Sequence, residues 1–272
     1  MSIFLADYDY ETSKQWCRET EGFLVKAVAT YVFSIFAIKY VMQNRTPFDL
    51  QVPLILWNII LAVFSILGFV LVTPTFLRVA SQHGWSYTWT NISELQTGSV
   101  AGYWTFLWVV SKIPEFLDTI FIVLRKKPLM FMHWYHHALT GYFAFVNYYE
   151  DNAYMIWVVW LNYFIHSFMY SYYMLRAIRF KVPPQVAQII TFAQIIQFLI
   201  THAVMAHLAY LVLTTNGKYA VTFRGFAIGA FMEVTYLLLW FRFYYKSYLA
   251  GGGKKYLQHQ EKLAAEKHVK TN

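Results

Sequence analysis

Three histidines stand close together in His133-Trp134-Tyr135-His136-His137. Positions i, i+3 and i+4 share one face of a helix. Imidazoles in such a group can ligate a metal, carry protons or act as nucleophiles. A lone histidine in an apolar helix is more often a satisfied structural residue. Three on one face are harder to explain that way. Further polar groups interrupt apolar runs elsewhere. Lys112, Glu115, Asp118 and Thr119 form one set, with Lys112, Glu115 and Asp118 spaced by threes and Pro114 among them. A proline there frees a backbone carbonyl one turn back and predicts a kink. The competing reading is a self-neutralising ion pair between helices. Asn162, His166, Tyr170 and Tyr173 form another set, which competes with a tyrosine packing stripe. Thr191, Gln194 and Gln197 form the last, and glutamines often simply join membrane helices. His202 and His207 take no specific role.

The surroundings make these residues costly. Of 272 residues, 58% are hydrophobic and 13% charged, against about 25% charged in a soluble domain. Long apolar runs recur, so the fold class is an all-α integral membrane protein. About seven transmembrane helices are expected, near 23–42, 53–73, 101–124, 129–149, 154–175, 186–213 and 223–245. Prolines 47, 53, 74, 128, 183 and 184 punctuate the ends of these runs. Residues 1–22 are polar and acidic, so no signal peptide is read there. The one cysteine, Cys17, is expected outside the helix bundle and excludes any internal disulfide.

Orientation follows from the basic residues. With the C-terminus cytosolic, fifteen of the 22 Lys and Arg face the cytosol, including Arg125, Lys126, Lys127, Arg176, Arg179 and Lys181. Residues 1–22 are then lumenal, 23–245 form the seven-span catalytic domain, and 246–272 form a basic cytosolic tail. The net charge of +8 reflects this bias and anionic headgroups, with a phosphate-bearing substrate for the remainder; no nucleic-acid partner is expected. Asn91-Ile92-Ser93 is a predicted lumenal glycosylation site, whereas Asn44-Arg45-Thr46 is predicted cytosolic and unused.

Depth ties the polar sets together. At 1.5 Å per residue, Asp118 lies about 10 Å from Arg125, His136 about 12 Å from Pro128, His166 about 15 Å from Arg176, and Gln194 about 12–15 Å from Pro184. Scattered structural groups need not align. The alignment predicts one site in the cytosolic half of the membrane. A lipid chain with an activated polar head suits such a site.

The same residues resemble a known family, the elongases of long and very long chain fatty acids. Lys112-x-x-Glu115-x-x-Asp118-Thr119 is similar to their KxxExxDT motif, and His133-x-x-His136-His137 to their HxxHH box. His166-x-x-Met169-Tyr170-x-Tyr172-Tyr173 is similar to HxxMYxYY, and Thr191-x-x-Gln194-x-x-Gln197 to TxxQxxQ. The order is the family's and the likeness covers nearly the whole chain. Trp134-Tyr135 resembles the subgroup that extends saturated and monounsaturated chains.

The resemblance implies a 3-oxoacyl-CoA synthase of the endoplasmic reticulum membrane, with an acyl-chain tunnel inside the helices. It would condense acyl-CoA with malonyl-CoA, releasing carbon dioxide and CoA. Ketoreductase, dehydratase and enoyl reductase partners would complete the cycle, and a homodimer is allowed. No cofactor is expected beyond the two substrates. His136 is implied as acyl acceptor, since Cys17 is misplaced for that task. His166 is assigned to the malonyl step, with His133 and His137 beside them. Asp118 or Glu115 would orient a histidine, and Lys112 would balance the carboxylates or steady an oxyanion. Tyr170, Tyr173, Gln194 and Gln197 are expected to bind substrate. Arg125, Lys126, Lys127, Arg176, Arg179 and Lys181 are expected to meet CoA, although topology alone places them there. Two rivals stand. A membrane di-iron desaturase also uses HxxHH, but needs about eight histidines in three boxes. Of nine histidines here, His83, His259 and His268 fall outside the spans. A transporter or receptor would explain a polar core without acyl chemistry.

Overall fold

The computed structural model describes residues 8–250, and every regular element among them is helical. The predicted tail from Gly251 onward, with His259 and His268, lies outside the described residues. The first helix, α1 (Tyr10–Glu19), is amphipathic. Asp9 caps it by accepting from the Thr12 N–H at 2.7 Å. Its stripe of Tyr10, Ser13 and Cys17 is buried, and the helix packs against a later one, Phe131–Tyr149. Cys17 therefore does not sit outside the bundle. It is fully buried in the main apolar core, because the spacing of Tyr10 and Cys17 gives this polar helix one apolar edge. Burial raises its thiol pKa above the ordinary value, which keeps it protonated and inert.

Then come α2 (Glu21–Val41) and α3 (Gln51–His83). At 33 residues, α3 is about 50 Å long. The sequence predicted its end at Pro74, yet the helix runs on to His83. Pro74 removes one helical donor, and a neighbouring helix, α9 (Met155–Ala177), supports this region. The Thr73 hydroxyl donates to Phe69 O at 2.6 Å and accepts from Trp160 Nε1 at 2.9 Å. The approach of α3 to α9 is close enough to require Gly68: a Cβ there would lie 2.3 Å from the Tyr163 ring.

Short helices α4 (Tyr87–Thr90) and α5 (Glu94–Thr97) fill the next loop. The predicted span 101–124 is broken. It forms α6 (Ala101–Ser111), a 3-10 turn (Pro114–Phe116) and α7 (Leu117–Leu124). Pro114 is the cause. It lacks a donor and its ring crowds the preceding turn, so Lys112 and Ile113 make tighter bonds to Val109 O and Val110 O, at 3.3 and 3.2 Å.

The chain continues through α8 (Phe131–Tyr149), α9 (Met155–Ala177), α10 (Pro184–Thr214) and α11 (Phe223–Tyr244), which ends in a π turn (Tyr245–Leu249). Pro184 opens α10 at its first position, where a missing donor costs nothing. Helices α7, α8 and α9 stop alike. Lys126, Asp151 and Arg179 take left-handed backbone angles (φ 53°, 56° and 65°). The following N–H then reaches back five residues, as Lys127 does to Ile122 O at 3.0 Å.

Among the described residues, four helical stretches are long and apolar enough to cross a membrane: Glu21–Asn44, Gln51–His83, Pro184–Thr214 and Phe223–Leu249. One end of the bundle is tied by charge. Glu21 on α2 accepts from Tyr149 at 2.7 Å and pairs with Arg224 on α11, and Arg224 reaches Glu150 at 3.1 Å. Asp151 holds α1 through Lys14 at 2.7 Å and Tyr10 at 2.8 Å. The opposite end, where α8 begins and α9 stops, is where the bundle hollows out.

Candidate active site

A cavity of about 310 Å³ lies among α8, α9, α10 and α11, with Asp118 of α7 and Trp108 of α6 on its wall. Its lining on α9 runs from Val158 to Tyr173, roughly 22 Å of helix. Met130 and Tyr173, at the loop end, are 44% and 46% exposed, whereas Val158, Met232 and Glu233 are buried. The cavity thus opens towards the loops after α7 and α9.

The histidine face of α8 looks into it. His133, His136 and His137 all line the wall, together with His166 of α9. The His133 and His137 rings are 4.7 Å apart and those of His136 and His137 are 5.3 Å apart. His136 packs on Tyr236 at 4.9 Å and on Trp240 at 5.5 Å, both from α11. The Tyr236 hydroxyl donates to His136 O at 2.8 Å and takes the Thr140 hydroxyl proton at 2.8 Å. This braces the turn that carries the box. Nε2 of His133 is buried with no partner. An orphaned polar atom in a cavity wall is a contact waiting for a ligand.

His166 is held by a relay. Trp108 Nε1 donates to Asn162 Oδ1 at 2.8 Å, and Asn162 Nδ2 lies 3.0 Å from His166 Nε2. The indole can only donate, so it fixes the amide's orientation. The amide nitrogen must then donate to Nε2, which leaves the His166 proton on Nδ1.

The carboxylates behave differently from expectation. Asp118 accepts from Trp57 Nε1 at 2.5 Å and from Tyr170 OH at 2.9 Å. Its nearest histidine nitrogen, His137 Nε2, is 3.8 Å away, beyond hydrogen-bond reach. Asp118 therefore orients Tyr170, whose ring stands edge-on to His166 at 5.1 Å, rather than a histidine directly. Lys112 and Glu115 are absent from the cavity wall. They form a buried pair at 2.6 Å behind it, with Ser111 donating to Glu115 at 2.9 Å and Lys112 lying 4.5 Å over Trp108. Thr119 meets Tyr31 at 2.7 Å and so pins α2 to α7.

Gln194, Gln197, Tyr170 and Tyr173 all line the cavity. Gln194 accepts from Trp240 at 3.0 Å, which ties α10 to α11. None of Arg125, Lys126, Lys127, Arg176, Arg179 or Lys181 lines it, although all sit in or beside the loops at its open end. Lys126 braces the backbone at Gln43 O and Arg45 O, both at 3.0 Å, and Arg179 donates to Gln51 at 2.9 Å. The predicted sequon is structured. Asn91 accepts from Thr90 at 2.8 Å, and Ser93 and Gln96 form a capping box for α5. Among the described residues, no three His, Cys, Asp or Glu side chains converge as metal ligands.

Sequence reasoning passed over Trp57, Trp108, Tyr236 and Trp240, because aromatic residues this common carry no signal until the fold places them. It also passed over Glu233, a buried acid lining the cavity from α11. The signal was present: one carboxylate in an apolar helix is a candidate on the same grounds as Asp118.

A helical bundle with apolar, membrane-length helices around a histidine-walled cavity defines an integral membrane protein of the all-helical class. The chain belongs to the ELO family, described as GNS1/SUR4, whose model matches residues 16–256. It is 43% identical over 230 residues to long chain fatty acid elongase 1 of Caenorhabditis elegans, covering 85% of this chain and 80% of that one. It is 38% identical over 271 residues to very long chain fatty acid elongase 6 of Drosophila melanogaster, covering 99% and 85%. The human very long chain fatty acid elongase 6 is 33% identical over 258 residues, covering 92% and 96%.

Proposed function

We propose that this protein is the condensing enzyme of fatty acid elongation, a 3-oxoacyl-CoA synthase that joins a long-chain acyl-CoA to malonyl-CoA. The observation that carries this reading is the convergence of His133, His136, His137 and His166 on one elongated, largely apolar cavity. Such a wall suits a reactive head at the histidines and an alkyl chain beyond them. His136 attacks the thioester carbonyl, and CoA leaves as the thiol. Malonyl-CoA then loses carbon dioxide, and the resulting enolate carbon attacks the acyl-imidazole. The new carbon–carbon bond releases His136 and yields the 3-oxoacyl-CoA.

His166, with its proton on Nδ1, is the group assigned to the enolate. Tyr170, Tyr173, Gln194 and Gln197 line the path of the substrates. Lys112 and Glu115 act as a structural brace in this account. The exposed cations at the open end meet the CoA phosphates. Seven spans, a lumenal N-terminus, residence in the endoplasmic reticulum, a glycan at Asn91 and delivery of product to reductase and dehydratase partners belong to the same proposal.

The test is product formation from malonyl-CoA and a panel of acyl-CoAs. Wild type should yield 3-oxoacyl-CoA, and His136→Ala should lose at least about a thousandfold in kcat, as expected when a covalent nucleophile is removed. Full activity in His136→Ala would sink the assignment. Stoichiometric iron in active enzyme would favour the desaturase class.

A further inference from the structure

One carboxyl group in the cavity wall takes no part in the histidine chemistry. Glu233 on α11 lines the cavity and is 1% exposed. Its place along the cavity follows from helix register. Trp240 on α11 pairs with Gln194 on α10, and Glu233 pairs with Thr201. Both steps are two helical turns, about 10 Å along each axis. The His136 ring packs on Trp240 and also on Tyr236, which is one turn from Glu233. Glu233 therefore lies about 5–10 Å beyond the reacting group. An extended alkyl chain advances about 1.25 Å per carbon, from its bond length and angle. The carboxyl thus stands beside roughly the fifth to the ninth carbon, in the middle of a long chain.

Only one of its two oxygens is held. Thr201 donates to Oε2 at 2.5 Å. His202 Nδ1 is 3.7 Å from the same oxygen, beyond hydrogen-bond reach, and spends its proton on Phe198 O at 2.6 Å. Oε1 has no hydrogen-bond partner among the described residues. Nor is it sealed in the packing, as His133 Nε2 and His202 Nε2 are. One oxygen ties α11 to α10, and the other faces the cavity. Joining two membrane helices needs only a hydroxyl or an amide, and a carboxyl is among the costliest groups to place there. The free oxygen is what the helix-joining role leaves unexplained.

We infer that Glu233, held by Thr201, is a binding site for a hydroxyl group on the acyl chain, so that acyl-CoAs hydroxylated near mid-chain are substrates beside plain ones. This rests on the condensing activity proposed above. A hydroxyl both donates and accepts, so it can meet Oε1 whether or not the carboxyl holds a proton. A carbonyl or ether oxygen only accepts, and a methylene offers nothing. Elsewhere along an apolar wall the same hydroxyl would lose its water and gain no partner, which is penalised. Position along the chain therefore decides whether the hydroxyl is accepted.

The experiment measures 3-oxoacyl-CoA formation from the best plain saturated acyl-CoA and from the same chain with one hydroxyl, at the seventh, ninth or terminal carbon. Each kcat/KM is divided by that of the plain chain in the same enzyme, which cancels any general loss of activity. Wild type should take the seventh- or ninth-carbon isomer about as well as the plain chain. It should take the terminal isomer about tenfold less well, the scale of one unmet buried hydrogen bond. Glu233→Leu should lower the mid-chain ratio about tenfold and leave the terminal ratio where it was. Glu233→Gln still hydrogen-bonds and should keep the wild-type ratios. If Glu233→Leu fails to fold, the positional preference of wild type decides the matter. Equal treatment of the hydroxyl at every position, or an unchanged mid-chain ratio in folded Glu233→Leu, overturns this inference alone while wild type condenses the plain chain. A wild type that does not condense the plain chain overturns the underlying reading and this one with it.

Discussion

His136 and His166 face one cavity but are held by different means. His136 is wedged between the Tyr236 and Trp240 rings, whereas His166 is fixed by hydrogen bonds through Asn162 to Trp108. The second arrangement has a sharp consequence. Asn162→Asp keeps the shape but turns the donor facing Nε2 into an acceptor, which favours the opposite tautomer. We expect kcat to fall by about 10²-fold or more with little change in KM for acyl-CoA, the pattern of a mis-set imidazole. An Asn162→Asp enzyme with wild-type kcat would show that the tautomer is irrelevant. The histidine box was legible from spacing alone, because i, i+3 and i+4 converge in any helix. The hold on His166 was not, since Trp108 lies on another element and only folding brings its indole to Asn162.

Between α6 and α7, Pro114 converts a would-be continuous helix into two pieces joined by a 3-10 turn. The 3-3 spacing of Lys112, Glu115 and Asp118 suits that turn, because a 3-10 helix repeats every three residues. The sequence predicted a kink there and grouped all three side chains in one site. The fold divides them, with Asp118 at the cavity and the Lys112–Glu115 pair behind it. A buried pair of this kind makes a sign prediction. Lys112→Met alone strands a carboxylate and should destabilise by about 3–5 kcal/mol, read as a lower Tm in detergent. Lys112→Met with Glu115→Leu should recover most of that loss, since an apolar pair of similar volume needs no partner. A double variant no more stable than the single one would contradict the bracing role. The end of α3 was misjudged at Pro74 for a related reason. Proline usually ends a helix, but here α9 lies alongside and Trp160 engages Thr73, which no local pattern reveals.

The molecule as a whole is asymmetric along its long axis. Glu21, Arg224, Asp151 and Lys14 lock one end, and the cavity opens at the other. Composition made the membrane class legible, because it depends on counts along the chain. Which cations are committed to structure depended on the fold. Lys126 braces two loop carbonyls, whereas Lys127 and Lys181 are exposed at the open end. Lys127→Ala with Lys181→Ala should raise KM for acyl-CoA several-fold at low salt and less at high salt, as screened phosphate contacts do. Lys126→Ala should instead lower Tm. A salt-independent KM in the first variant would place CoA elsewhere.

The proposed reaction depends on His136 carrying the acyl group between two half-reactions. Peptide mass spectrometry of enzyme incubated with long-chain acyl-CoA alone, malonyl-CoA withheld, tests that directly. The account predicts one acyl group on the peptide containing His136, formed with release of CoA and discharged as 3-oxoacyl-CoA when malonyl-CoA is added. An adduct on another residue, or active enzyme that condenses both substrates while forming no acyl-enzyme, would contradict it.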